Sequence, residues 1–228
     1  MNPTNGQTYR VQYFERARFE YHPENAGTPY EVLLGLLGRE QYLTPILRDD
    51  FSNPASGWFQ ERTASGNSIA YAGGGYQFSI AQANWQIGGS HANLANVADV
   101  HVEVDTTKVG GPDDNEIGVT CRELDSNNYY LLRIRSNGRY AILKKKAGVW
   151  TTLANAGGNV STAIRQGNAT NHLRVDCVGS TFTLSANGQQ LLTVQDADFG
   201  TGRVALIAGT FATPGLTVVF DNFVAMRP

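Results

Sequence analysis

Two cysteines, two methionines, no long apolar run and almost no net charge are the scarcities of this 228-residue sequence, and each excludes something. Cys121 and Cys177 by themselves can build neither a disulfide scaffold nor a four-ligand structural zinc site. One bridge is the most they can form. No stretch approaches the roughly 18 to 20 apolar residues of a membrane span, so no membrane insertion is expected. Met1 to Arg10 lacks the apolar core of a secretory signal, and the sequence reads as a piece of a longer or processed chain. Eighteen basic against 20 acidic residues leave a formal charge of -2. No overall field draws such a chain to nucleic acid or to an anionic membrane.

What is present is a globular composition rich in turns: 41% hydrophobic, 10% aromatic and 25 glycines. That is enough to bury one sizeable core, with room for a small appendage beside it. From Tyr9 to Tyr21 the odd positions are mostly apolar and the even ones mostly charged, which is strand periodicity. Thr28-Pro29-Tyr30-Glu31 then carries an N-cap residue, a proline suited to the first helical position and a glutamate that can close a capping box. A short helix is expected over Val32 to Leu37, ending at Gly38.

At Thr44-Pro45 the pattern changes. From Asp49 onward the sequence reads as short alternating strands such as His101 to Asp105, Ile117 to Cys121 and Leu173 to Cys177. Asn137-Gly138 and Asn187-Gly188 are hairpin signals, because both residue types tolerate positive φ. The expectation is an all-β, two-sheet antiparallel jelly-roll sandwich over residues 44–228, with a strand-and-helix appendage over residues 1–43.

The segments Asp49-Asp50-Phe51-Ser52, Ser56-Gly57-Trp58, Gly75-Tyr76, Asn128-Tyr129-Tyr130, Asn137-Gly138-Arg139-Tyr140, Gly148-Val149-Trp150 and Phe220-Asp221-Asn222-Phe223 resemble laminin-G-like, concanavalin-type jelly rolls. These include the domains named 3-keto-disaccharide hydrolases. The stretch from Val11 to Pro23, with the leucine-rich Glu31 to Gly38, resembles the tail of an LGFP-like repeat module. Both resemblances imply an extracellular or surface-attached bacterial protein. Alternation points Cys121 and Cys177 into the core, either as buried thiols or as a bridge between adjacent strands. The extracellular resemblance favours the bridge.

Candidate sites follow from side-chain chemistry. A glucanase of this fold would need carboxylates alternating on one strand face. Glu103 and Asp105 supply two, but Thr107 stands where the third would be, so a solvated strand face is the reading preferred. Glu123 is the remaining carboxylate considered for catalysis. His22, His91, His101 and His172 show no metal-ligand spacing. Calcium ligands could come from Asp49, Asp50 and Asp221, since first and last strands of a jelly roll often lie together, or from the loop Pro112 to Glu116. Sugar binding needs aromatic faces with amides and guanidiniums nearby. Trp85, Tyr129, Tyr140 and Trp150 are the candidate faces, with Asn128, Arg133 and Arg135 as polar partners. Lys144, Lys145 and Lys146 could form a cationic strip with Arg133, Arg135 and Arg139, but protection against edge pairing is the preferred reading.

With no complete acid/base pair, nucleophile or catalytic metal motif, the expected function is a non-catalytic binding or adhesion module, its partner a glycan or another cell-surface component. The alternative is a structural subunit that self-associates through residues 9–38. A sugar-acting hydrolase ranks third.

Overall fold

The computed structural model describes residues 10–13, 18–35 and 44–228. They fall into two compact units, Met1–Thr44 and Pro45–Pro228. In the first, strands β1 (Arg10–Tyr13), β2 (Arg18–Tyr21) and β3 (Val32–Gly35) form a three-stranded antiparallel sheet.

The expected helix is therefore corrected: Val32 to Gly35 is a strand, paired through Val32 with Tyr21 and through Leu34 with Phe19. Residues 36–38 of that expectation lie outside the described residues. The capping residues serve a turn instead. Thr28 Oγ1 donates to the Asn25 carbonyl and accepts from the Tyr30 N–H, and Glu31 Oε2 accepts from the Gly27 N–H. A side chain that can cap a helix can equally satisfy a tight loop, and the cross-strand ladder decides between them.

The second unit is the sandwich, its strands numbered along the chain. One sheet has nine strands, in the order β16 (Gln189–Gln195), β15 (Thr181–Ala186), β14 (Thr170–Val178), β9 (Val100–Gly110), β18 (Leu216–Arg227), β7 (Gly75–Ile80), β6 (Ser68–Ala72) and β5 (Glu61–Arg62). Strand β4 (Thr44–Asp49) also pairs with the long β18. The other has six, in the order β13 (Val149–Ala154), β12 (Tyr140–Lys146), β11 (Asn128–Ile134), β10 (Asn115–Asp125), β17 (Arg203–Thr210) and β8 (Gln86–Gly89). Among the described residues no helix is long and apolar enough to cross a membrane.

Alternation explains the core. Val102 and Val104 of β9 and Val175 of β14 point inward from one sheet, and Val119 of β10 and Tyr130 and Leu132 of β11 from the other, all in one buried cluster. Both Asn-Gly signals are turns: Asn187 (φ 50°) and Gly188 (φ 82°) link β15 to β16, and Gly138 (φ 85°) closes the β11–β12 hairpin. Successive positive φ values are what a two-residue hairpin needs.

Cys121 and Cys177 are disulfide-bonded. The bridge differs from the one expected, because its strands are not adjacent: β10 and β14 belong to opposite sheets, so the bond crosses the core. Immediately after Cys121, Arg122 occupies a β-bulge at φ 51°. The extra residue resets the alternation so that Glu123, three residues beyond Thr120, returns to the outer face.

Candidate binding groove

The outer face of the six-stranded sheet carries a second, smaller apolar cluster. Tyr129, Leu131, Ala141, Leu143 and Ile207 are buried there although they point away from the core. Register builds its rim. Tyr129 pairs with Lys145, and Lys145 pairs with Trp150, so three neighbouring strands set these side chains in one row. The Tyr129 and Trp150 rings meet edge-on at 5.5 Å, and Lys145 Nζ lies 5.7 and 5.5 Å from the two ring centres.

A polar chain crosses the same face. The Tyr129 hydroxyl donates to Gln86 Oε1 at 2.9 Å, and Gln86 Nε2 donates to Glu116 Oε1. Glu116 Oε2 lies 3.0 Å from Arg133 Nη1, near enough for an ion pair but without hydrogen-bond alignment. Arg133 Nε, also buried, has no hydrogen-bond partner among the described residues. Leaving a buried donor unsatisfied costs roughly 1 to 3 kcal/mol. Gly118 makes the approach possible, since a Cβ there would lie 2.2 Å from the Leu132 carbonyl and 2.9 Å from Arg133 Cα.

Burial raises the Glu116 carboxyl above the usual range, outweighing Arg133 and the Gln86 amide. Burial, then the Glu116 and Glu123 charges, raises the Tyr129 phenol, which stays a donor. Arg135 stacks 4.0 Å from the Phe211 ring centre while bonding Asp114 at 2.6 Å.

Two cavities open on this face. The larger, about 880 Å³, includes Trp85, Gln86, Glu123, Tyr129, Lys145 and Arg203 in its lining. The smaller, about 320 Å³, includes Trp85, Glu116, Arg133, Leu143, Trp150 and Phe211. Trp85 and Gln86 line both. Trp85 and Trp150 are 46% and 43% exposed, each presenting ring surface to solvent. The formally charged residues lining the two cavities are Glu61, Glu116, Glu123, Lys145, Arg133 and Arg203, three of each sign. Glu123 is itself paired with Arg203 and accepts from Thr120 Oγ1. The arrangement offers stacking surfaces and hydrogen bonds without a net charge.

Of the sugar-binding candidates, Trp85, Tyr129, Arg133 and Trp150 converge on these cavities, and Arg135 reaches them through Phe211. Two do not. Tyr140 pairs with Ile134, shares its inward face and packs on the core. Asn128 holds the β10–β11 turn, donating to Asp125 and accepting from the Ala147 N–H. Both readings of the lysines are corrected: β12 lies between β11 and β13, so its lysines guard no edge, and they do not form a free cationic strip. Lys144 is paired with Asp196 and Asp198, and Lys146 with Asp198, leaving Lys145 alone in the groove.

Asp49, Asp50 and Asp221 do not form a ligand set. Asp49 accepts from the Phe51 N–H, Ser56 Oγ and Trp58 Nε1, Asp50 from Ser52, and Asp221 from the Asn222 N–H. Among the described residues no three His, Cys, Asp or Glu side chains are grouped to hold a metal ion. Glu103 and Asp105 lie on the outer face of the nine-stranded sheet, engaged by Arg174 and His172. Gln86 and Phe211 carried no sequence signal, and Glu116 was visible only as the end of an acidic loop.

No family model and no curated protein matches the sequence. Solved structures match the fold. A carbohydrate-binding module, CBM66, from Bacillus subtilis aligns over 74% of this chain and 94% of its own, at 18% identity and a TM-score of 0.54. A Bacillus subtilis protein of unknown function with a galectin-like fold aligns over 82% and 97%, at 11% identity and a TM-score of 0.59. A β-glucanase from Bacillus licheniformis aligns over 80% and 97%, at 10% identity and a TM-score of 0.52. The second unit is a jelly-roll sandwich, the fold class these neighbours share.

Proposed function

We propose that this chain is a non-catalytic binding module for an uncharged glycan, held along the outer face of the six-stranded sheet. The observation that carries the reading is the pairing of two half-exposed indoles, Trp85 and Trp150, with a hydrogen-bonding floor of Tyr129, Gln86, Glu116 and Arg133. Aromatic faces stack on the apolar side of a pyranose, and a few convergent polar groups fix its hydroxyls. The balance of charge across the cavities favours a neutral ligand over an acidic one.

The spacing of Glu116 and Glu123 speaks against that pair as the acid and base of a hydrolase. Glu116 and Glu123 are seven residues apart on β10 with one bulge between them, roughly 20 Å along the strand. Glycosidic acid/base pairs work at about 5 to 10 Å. The disulfide and the carbohydrate-binding neighbour fit an extracellular setting.

The test is a glycan and polysaccharide array probed with the wild-type chain and with Trp85→Ala and Trp150→Ala. Binding that each folded variant loses places the ligand on this face. Binding that both variants retain, or a blank array, refutes the reading.

A further inference from the structure

We propose that the smaller cavity is a subsite for the 2-acetamido group of an N-acetylhexosamine residue, an inference that rests on the glycan-binding reading of the groove. Three features at this one place have to be met together. The first is a buried donor: Arg133 is 8% exposed, and its Nε–H has no acceptor among the described residues. The second is an acceptor beside it, since Glu116, also 8% exposed, receives Gln86 on Oε1, while no hydrogen bond among the described residues reaches Oε2. The third is an apolar wall made by Trp85, Trp150, Phe211 and Leu143.

An acetamido group answers all three. Its carbonyl oxygen accepts from the guanidinium, its N–H donates to a carboxylate, and its methyl packs on aromatic and leucine side chains. Other substituents answer fewer. A hydroxyl could accept from the guanidinium and donate to the carboxylate, but it would leave the wall without an apolar partner. A carboxylate would place a second negative charge beside Glu116 on one guanidinium, a like-charge contact in a desolvated site. At about 320 Å³ the cavity has room for one substituted sugar ring. Phe211 lies beside both Arg133 and Arg135, with ring-to-guanidinium distances of 5.5 and 4.0 Å, and forms part of the wall beside the buried donor.

The experiment is titration calorimetry with matched oligosaccharides that differ only in acetamido or hydroxyl at C2: N-acetylglucosamine and glucose tetramers of one linkage, and an N-acetylgalactosamine and galactose pair. A galacturonate tetramer is the carboxylated arm. The expected result is that one acetamido ligand binds at least about tenfold tighter than its hydroxyl partner. In Phe211→Ala, which changes a half-buried loop residue and not the core, that ratio falls towards one. Leu143→Phe, which fills the cavity, lowers the same ratio, and circular dichroism verifies that both variants are folded.

Equal binding of the matched ligands overturns the subsite while leaving the groove reading intact. A preference for galacturonate overturns it in favour of an acid site. So does an acetamido preference that survives both variants, because the group is then read elsewhere. Failure of every ligand, together with a blank glycan array, overturns the groove reading and this inference together.

Discussion

The sulfurs of Cys121 and Cys177 are bonded through the middle of the sandwich, tying β10 of the six-stranded sheet to β14 of the nine-stranded one across 56 residues of chain. A crosslink that closes a loop of this length removes roughly 4 kcal/mol of chain entropy from the unfolded state. Both side chains are fully buried, so their replacement by alanine also leaves a small cavity. The Cys121→Ala/Cys177→Ala double variant is expected to lose about 4 kcal/mol in urea unfolding. The wild-type chain unfolded in the presence of reductant should lose a similar amount. A loss under about 1 kcal/mol would show that the bridge adds little to the packing around it.

Arg122, next to the bridge, acts as an internal clasp. From its bulge position the guanidinium donates to the Ala98, Phe199 and Gly179 carbonyls and to Asp99, and it lies 5.1 Å from the Phe182 ring centre. Arg122→Leu removes these bonds and strands the buried Phe199 carbonyl, an expected cost of about 3 kcal/mol. Arg203→Leu, which breaks the half-exposed pair with Glu123, should cost within about 1 kcal/mol. Urea midpoints of the two variants give the comparison, and equal midpoints would refute the clasp.

The sandwich was legible because its signals are local. Alternation in β9, β10 and β14 is readable residue by residue, and Asn-Gly pairs state their own backbone geometry. The short helix was misread because Thr28 and Glu31 bond the same kinds of backbone groups in a loop as at a helix end. Tyr140 was misplaced because its face depends on pairing with Ile134, which follows from register across a hairpin and not from the residues of β12 alone. The groove was only half visible. Its aromatics could be named, but residues 86, 116, 133 and 211 meet through the strand order β11, β10, β17, β8, and alternation carries no record of which strands are neighbours.

Asp49 gives a direct test of the calcium expectation. Its carboxylate is occupied by the Phe51 N–H at 2.8 Å, Ser56 Oγ at 2.5 Å and the Trp58 indole at 2.9 Å. A group engaged in this way holds the loop before the buried Trp58. Asp49→Ala is expected to cost about 1 to 3 kcal/mol by thermal unfolding, in chelator and in calcium alike. The wild-type melting temperature should be the same in both solutions. A calcium-dependent rise in the wild type that is absent from the variant would make Asp49 a metal ligand after all.

The Lys144, Asp196 and Tyr130 cluster should shape the response to pH. Burial alone would raise the Asp196 carboxyl, but hydrogen bonds from Lys144 and Tyr130 outweigh it and hold the group below its ordinary 3.8. Asp198 is lowered too, by bonds from Lys144 and Lys146. A carboxyl with a depressed folded value contributes stability that is present above 3.8 and is lost as the pH falls below it. The opposite limb involves Tyr130, which burial and then its bond to Asp196 push up to about 12. Its contribution is present below 10 and is lost as the pH rises towards 12. Stability measured by urea unfolding is therefore expected to be flat near neutrality and to fall at both ends. Asp196→Asn should flatten the acid limb, because no charge remains there to be neutralised. It should also make the alkaline decline smaller, because the phenol loses the carboxylate that opposes its ionisation and its folded value moves back towards 10. An acid limb unchanged in the variant would assign acid unfolding to other carboxylates and leave this cluster a packing contact.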